Sequence, residues 1–156
     1  MGENKSRENK KMQILSDKLF SLYSLTMQHE GNELAHSQFK DITVKDLHLI
    51  HSIAMNKNQT ITKIAHQMSL SKATLTTSID KLERLGYVER ERNTTDRRII
   101  NIVLTKKGKL LYRLHNREHA EYINVLLKGL SDKEREDINK ALDNLIGYLD
   151  KIENDK

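Results

Sequence analysis

Apolar residues recur at helical spacing near the start of the chain, and this pattern predicts a long helix with one buried face. They stand at Met12, Leu15, Leu19, Leu22, Tyr23 and Met27. We expect Gly31 to end this helix and the polar residues 1–9 to be frayed. Thr43 and Asp46 then form a capping-box-like start for a second helix. Its inward positions are Val44, Leu47, Ile50 or His51, and Ala54.

The segment from Thr60 to Thr105 predicts two short helices joined by a tight turn and followed by a β-hairpin. Ser71 can cap the second helix, and Gly86 supplies the left-handed residue that ends it. The strands YVERER and IINIVL are connected by Asn93–Arg98. The inward helix positions are Ile61, Ile64, Ala65 and Met68, then Leu70, Leu75, Ile79 and Leu82.

Two further helices complete the chain. One is capped by Thr105 and runs to about Lys128, before Gly129. The other begins at the capping box formed by Ser131 and Glu134. Its apolar stripe comprises Ile138, Leu142, Leu145, Ile146, Leu149 and Ile152. One narrow stripe at each end of the chain has little core of its own to cover, so we expect a homodimer, with a self-contained helical bundle as the alternative.

These elements predict a mainly α protein with a small β-hairpin wing, that is, a winged helix-turn-helix domain on a helical dimerisation domain. The whole chain, 1–156, would form a single unit. Within it, 43–105 would be the winged helix-turn-helix region, and 10–30 and 106–153 the dimerisation region.

Composition narrows the function classes. The chain has 27 Lys plus Arg against 22 Asp plus Glu, a net charge of +5 and a pI near 9.3, which favours a polyanionic partner. Without cysteine it can have neither disulfides nor a thiol nucleophile. There is no membrane-length apolar run and no secretion signal, so we expect a cytoplasmic protein without a membrane partner. The sequence contains neither a Gly-rich phosphate loop nor a nucleophile elbow, so we expect no enzyme activity and no bound cofactor.

A helix-turn-helix followed by a basic hairpin is a shape suited to the outside of double-stranded DNA. The outward face of the second short helix would carry Ala73, Thr76, Thr77, Asp80 and Arg84, flanked by Lys72 and Thr74. Methyl groups on this face suit the thymine methyl, so we predict an A·T-rich operator. Ser71 and Lys72 would hold phosphates, while Asp80 would be repelled by them. The alternative is that Thr76 and Thr77 are ordinary surface residues.

The hairpin tip carries Arg97 and Arg98, and arginine favours narrow A·T-rich minor grooves. Asp96 would pair with Arg98 and fix the arm. The alternative is a solvated charged turn.

The segment D96-R97-R98-x5-L104-T105-x2-G108, with this order of elements, resembles the MarR family of winged helix-turn-helix repressors. That resemblance implies winged domains held by a helical dimer interface, with Asp96 and Arg98 as the wing-motif residues and Arg98 in the minor groove. The chain departs from the general pattern at Ser69, where helix-turn-helix turns prefer glycine, so the turn could adopt another conformation.

Four stretches are similar to FabT-type repressors of fatty-acid synthesis: FKDITVKDLHLI, TLTTSIDKLERLGYVER, LTKKGKLLYRLHNREH and GLSDKE. The resemblance implies a corepressor that is a long-chain acyl group on acyl carrier protein. Leu22, Met27, Leu47 and Ile50 could line a tunnel for the chain, and Arg113 and Arg117 could meet the acidic carrier. Ordinary core packing and an ordinary wet surface are the alternatives for these residues.

Two other functions stay open from the sequence. His115 and His119 are four residues apart on one helix, and His36, Glu33, His48 and His51 lie in segments that could approach them, so a zinc-responsive repressor is an alternative. A helical adaptor that does not bind DNA is another. A salt titration separates the adaptor from a DNA-binding protein, because phosphate contacts weaken steeply with ionic strength.

Overall fold

The computed structural model describes residues 2–55 and 59–154, and helices dominate it, with one small sheet. The chain divides into two compact units, Met1–Leu49 and Ile50–Lys156. None of the described helices combines the length and apolarity needed to cross a membrane. The elements are α1 Gly2–His36, α2 Val44–Met55, β1 Gln59–Thr60, α3 Ile61–Gln67, α4 Lys72–Arg84, β2 Val88–Arg92, β3 Ile100–Leu104, α5 Lys106–Leu126 and α6 Asp132–Asn154.

Helix α1 is longer than the sequence pattern predicted, at both ends. It begins at Gly2, so residues 2–9 are helical rather than frayed; Met1 lies outside the described residues. Gly31 does not end it, because one helical glycine costs only about 1 kcal/mol and the buried Glu30 and Leu34 lie on either side. The helix stops at His36, after which the Ser37 hydroxyl donates to the Leu34 carbonyl.

The first unit packs around the C-terminal end of α1 and the start of α2. Leu34, Phe39, Ile42, Leu47 and Leu49 are buried there. The predicted capping box is confirmed: the Thr43 backbone N–H donates to Asp46 Oδ2 at 2.8 Å, and the Asp46 N–H donates to Thr43 Oγ1 at 3.3 Å. By contrast, the apolar stripe of Met12, Leu15, Leu19, Leu22 and Tyr23 is exposed in the single chain rather than buried.

In the second unit, α3 and α4 form the helix-turn-helix. The α4 residues Leu75, Ile79 and Leu82 are fully buried, as predicted, and the Ser71 hydroxyl accepts the Thr74 N–H at 3.1 Å as an N-cap. The turn keeps a left-handed residue although it lacks glycine: Ser69 itself has φ +50°. Leu70, predicted to anchor α4, is exposed.

The wing is a three-stranded antiparallel sheet in the order β1-β3-β2, not a hairpin alone. Strand β2 pairs with β3 from Val88↔Leu104 to Arg92↔Ile100. The added strand β1 has only two residues and pairs Gln59 with Ile102. So short a strand has no alternation by which a sequence could reveal it.

Helix α5 is fastened to the wing at its first turn. Thr105 caps it by accepting the Gly108 N–H at 3.2 Å, while its hydroxyl donates to the Gly86 carbonyl at 2.6 Å. Gly108 lies directly against the Tyr87 carbonyl, since a Cβ at residue 108 would come within 2.2 Å of that oxygen. This contact explains why the motif needs a glycine there.

Helix α6 begins at the predicted capping box and leaves its apolar stripe uncovered. The Ser131 hydroxyl donates to Glu134 Oε2, and the Ser131 backbone N–H donates to the same oxygen at 2.8 Å. These two bonds lower the pKa of the Glu134 carboxyl. In the single chain the exposed apolar residues of this helix include Leu142, Leu145, Ile146, Leu149 and Ile152. Gly86 and Gly129, both at φ +78°, follow α4 and α5 as predicted.

Candidate nucleic-acid interface

The outward face of α4 is solvent-accessible and small. It lies opposite Leu75, Ile79 and Leu82, whose burial fixes the orientation of the helix. Thr76 is half-buried at the side of this face. The predicted contact residues that are exposed are Ser71, Lys72, Ala73, Thr74, Thr77 and Arg84. Six of the seven contact residues predicted on α4 and its N-cap are therefore solvent-accessible, and their contact with DNA stays a prediction.

The hydroxyls of Thr76 and Thr77, two of the three threonines on α4, are bonded to their own helix. Thr76 Oγ1 donates to the Lys72 carbonyl at 2.8 Å, and Thr77 Oγ1 donates to the Ala73 carbonyl at 3.2 Å. Bonds of this kind fix the side-chain rotamer, because the hydroxyl must turn back towards the preceding turn. The methyl group of each threonine then has a defined direction as well.

A clamp between α4 and the wing, formed by Arg90, Asp80 and Glu83, was missed by the sequence reasoning. Arg90 Nη2 on β2 donates to Asp80 Oδ1 at 2.6 Å, and Nη1 donates to Glu83 Oε2. The Asp80 hydrogen bond is the main cause that raises the pKa of Arg90, so the guanidinium stays charged. Asp80 was expected to be repelled from DNA as a lone charge, but it is neutralised within the protein. Two carboxylates three residues apart on α4 were the available signal.

The wing loop is ordered by two side chains that accept backbone bonds. Asn93 Oδ1 accepts the N–H groups of Thr95 and Asp96 at 2.8 and 3.1 Å. Asp96 Oδ1 accepts the backbone N–H of Arg98 at 2.9 Å. Asp96 was predicted to pair with the Arg98 guanidinium, and that prediction is wrong, because its carboxylate accepts the Arg98 backbone N–H instead and orders the loop through the backbone. Arg97 and Arg98 are exposed at the tip.

Three histidines of the second unit lie close together, and two histidines of the first unit each have a partner of their own. In the second unit, the rings of His115 and His119 have centroids 4.2 Å apart, and His51 Nδ1 lies 3.3 Å from His115 Nδ1. In the first unit, His36 Nδ1 lies 2.8 Å from the Asn32 carbonyl of its own helix. There too, His48 Nε2 lies 2.9 Å from the buried carboxylate of Glu30, a partner that the sequence reasoning did not identify.

The predicted effector residues differ in exposure. Leu47 and Ile50 are buried, Met27 is half-buried and Leu22 is exposed. Arg113 and Arg117 are both exposed on α5, four residues apart on one side of that helix. An acyl-chain pocket and a carrier contact at the two arginines stay predictions, since burial and exposure of this kind are also those of ordinary core and surface residues.

Comparison with known proteins places this geometry in a family. The MarR family model matches residues 42–100. The chain is 31% identical to the transcriptional regulator SarZ of Staphylococcus haemolyticus, over 70% of this chain and 68% of SarZ. It is 34% identical to the transcriptional repressor YetL of Bacillus subtilis over 56% of this chain, a match that spans about half of YetL, 53%.

A solved structure matches nearly the whole chain. The structure of Streptococcus pneumoniae FabT in complex with DNA superposes with a TM-score of 0.80 and 35% identity, covering 90% of this chain and 98% of FabT. These relatives are transcriptional regulators, which confirms the prediction that this chain is not an enzyme. The chain therefore belongs to the MarR family of winged helix-turn-helix transcriptional regulators.

Proposed function

We propose that this protein represses transcription by binding, as a homodimer, to an A·T-rich pseudo-palindrome in double-stranded DNA. The observation that carries the proposal is the surface of the second unit. There α4 exposes Ala73 and Thr77, and the wing loop exposes Arg97 and Arg98. Methyl groups suit thymine in the major groove, and arginine suits a narrow A·T-rich minor groove. One protomer thus offers complementary groups to two grooves of a single duplex.

A second copy of the chain would cover the apolar stripes. On α6, Ile146 and Leu149 are 56% and 52% exposed, and on α1, Leu15 and Leu22 are 54% and 61% exposed. Contiguous apolar surface of this kind marks an interface in a protein that does not aggregate. Twofold symmetry would then bring the two α4 helices to successive major grooves, about 34 to 36 Å apart. The exposure of both stripes in the single chain also argues against the self-contained bundle.

Similarity to FabT and the placement of the effector residues support a role in regulating fatty-acid biosynthesis genes, with long-chain acyl carrier protein as corepressor. In the first unit, Leu47 is buried and Met27 is half-buried, and apolar side chains of this kind suit an acyl chain. Exposed Arg113 and Arg117 provide the positive charge that an acidic carrier needs. An effector that binds one protomer spacing better than another would shift operator affinity accordingly.

The first experiment selects bound duplexes from a random pool and measures their affinity against ionic strength. A·T-rich inverted repeats and a steep fall of affinity with salt are expected, because several phosphates are contacted. Failure to enrich any duplex would favour the helical adaptor and overturn the proposal. Size-exclusion chromatography with light scattering should show a dimer; a monomer would exclude the twofold arrangement.

A second experiment tests the corepressor on the selected duplex. Acyl carrier protein bearing a long acyl chain should change operator affinity, whereas the carrier without an acyl group should not. Charge reversal at the exposed arginines, Arg113→Glu with Arg117→Glu, should abolish that response and leave effector-free DNA binding intact. Lys140→Glu, an exposed charge reversal on α6, is the matched control. An unchanged response in the arginine variant would remove these residues from the carrier contact.

A zinc-responsive repressor is the second candidate, favoured by the contact of His51, His115 and His119 in the second unit. Neutral imidazole nitrogens are common zinc ligands, and the close Nδ1 atoms could share an ion. His36 bonds within its own helix, which gives it no evident role in this group. Elemental analysis of protein purified without chelator decides the question, since a sensor must bind zinc stoichiometrically.

A further inference from the structure

The hydroxyl hydrogens of Thr76 and Thr77 on α4 are already used inside the protein. A hydroxyl has one hydrogen to donate and two lone pairs that accept. Thr77 Oγ1 donates its hydrogen to the Ala73 carbonyl, and Thr76 Oγ1 donates to the Lys72 carbonyl. What remains for a ligand at each residue is a methyl group and an oxygen that can only accept.

Base pairs differ in how well they match such a side chain. An adenine–thymine pair presents an amino donor and a methyl group in the major groove. A guanine–cytosine pair presents an amino donor on cytosine but no methyl, and guanine presents two acceptors. Each pair also presents two acceptors, so an oxygen that can only accept can bond the amino group of either pair and does not distinguish them. The thymine methyl group is therefore what favours adenine–thymine.

We infer that Thr77 is a specificity-determining residue that reads thymine by its methyl group and a base amino group by its hydroxyl oxygen, without ever donating. Thr77 is exposed and points away from the buried side of α4, whereas Thr76 is half-buried and flanks it. This inference rests on the proposed DNA-binding function and deepens it. Readout by Thr77 would explain how α4 selects an operator although its first two turns contain no Asn, Gln or Arg.

Two substitutions separate the methyl from the oxygen. Thr77→Ser removes the methyl and keeps the hydroxyl, while Thr77→Val keeps the β-branched shape and removes the oxygen. Ser78→Ala is the matched control, because the Ser78 hydroxyl makes the same bond, to the Thr74 carbonyl, but lies nearer the buried side. Each variant is measured on the selected operator and on duplexes changed at the contacted thymine to uracil, cytosine or 5-methylcytosine.

The wild-type protein should bind the thymine duplex about three- to fivefold more tightly than the uracil duplex, the scale of one buried methyl group. It should also prefer 5-methylcytosine to cytosine by a similar factor, since the added methyl stands beside the cytosine amino donor. Thr77→Ser should lose both preferences. Thr77→Val should keep them and bind all duplexes several-fold more weakly, and Ser78→Ala should match the wild type.

The outcomes distinguish this inference from the proposed function. Equal binding of thymine and uracil duplexes at every half-site position by the wild type, with an A·T-rich operator still selected, overturns the inference alone. Retention of the methyl preference by Thr77→Ser does the same, because another residue would then be reading the methyl. Failure to select any duplex overturns both.

Discussion

Arg90 on β2 donates from Nη2 to Asp80 Oδ1 on α4 at 2.6 Å, which links the wing to α4. The second carboxylate, Glu83, accepts from Nη1 of the same guanidinium. The angle between helix and wing is thereby held by a side chain that needs no contact with DNA. A duplex that is contacted by both elements requires that angle to be correct before binding.

Loss of this clamp should weaken DNA binding more than it weakens the fold. Arg90→Ala should lower the free energy of unfolding by only about 0.5–1 kcal/mol, because Asp80 is mostly solvent-exposed. Operator affinity should fall about five- to tenfold, since the wing must now be ordered on binding. Urea denaturation and fluorescence anisotropy measure the two quantities.

Arg92→Ala removes the same charge from the same strand and serves as the control for Arg90→Ala. A double-mutant cycle with Asp80→Asn isolates the pair. If the two substitutions are additive in operator affinity, Asp80 and Arg90 are not coupled and the clamp has no role in binding.

Ser69 is strained, and relief of that strain should stabilise the protein. Its φ of +50° is a left-handed conformation that costs a non-glycine residue roughly 1–2 kcal/mol. Ser69→Gly should raise the free energy of unfolding by about 0.5–1 kcal/mol after the greater chain entropy of glycine is subtracted. His66→Gly, in regular helix three residues earlier, should instead destabilise by about 1 kcal/mol. A destabilised Ser69→Gly in urea denaturation would show that the serine side chain contributes more than its backbone costs.

Local signals explain how much of this fold was predictable from the sequence. Capping residues such as Thr43 and Ser131, and left-handed glycines such as Gly86, act within four residues, so their effects could be predicted without tertiary structure. The prediction that Gly31 ends α1 was wrong, because a glycine ends a helix only where its backbone is left-handed, and Gly31 lies inside regular helix.

The candidate site was predictable only in part. The exposed face of α4 follows from helical periodicity, but the partner of Asp80 lies ten residues away on a strand. The role of Asp96 was assigned to the wrong donor because spacing does not distinguish a backbone N–H from the guanidinium of the same residue. The pairing of Asp80 with Arg90 depends on tertiary structure, which a single sequence does not show, whereas the bond of Asp96 is local to the loop.

Gly108 should tolerate no side chain. A Cβ there would come within 2.2 Å of the Tyr87 carbonyl oxygen, and a backbone atom cannot rotate away. Gly108→Ala should therefore destabilise the protein by roughly 3 kcal/mol or more. Gly147→Ala is the control: nothing lies within 4 Å of a Cβ at that helical position, so a gain of about 0.5–1 kcal/mol is expected. Similar melting temperatures for the two variants would mean that α5 shifts easily against the wing.

Glu134 should make the capping box of α6 sensitive to acid. The Ser131 hydroxyl and backbone N–H lower the pKa of this carboxyl, so its stabilising effect is present above the unfolded-state pKa. That effect is lost as the pH falls through the lower, folded-state pKa. Glu134→Gln can still accept the Ser131 bonds but does not titrate, so its stability should vary less with acid. NMR titration should give a Glu134 pKa below the ordinary value, and Ser131→Ala, which removes the hydroxyl but keeps the backbone N–H, should raise it part of the way back. An unchanged pKa in Ser131→Ala would exclude the Ser131 hydroxyl as a cause.

Arg98 should contribute to operator binding through the flanks of the site. Its backbone N–H is held by Asp96 while its side chain is exposed at the wing tip, so the loop presents the guanidinium without having to order first. Arg98→Ala should lower affinity about tenfold, the scale of one charge-assisted contact, and reduce the preference for A·T-rich flanks. Lys140→Ala, which removes an exposed charge from α6, is the control for net charge. Unchanged affinity and unchanged flank preference in Arg98→Ala would exclude the wing tip from the minor groove.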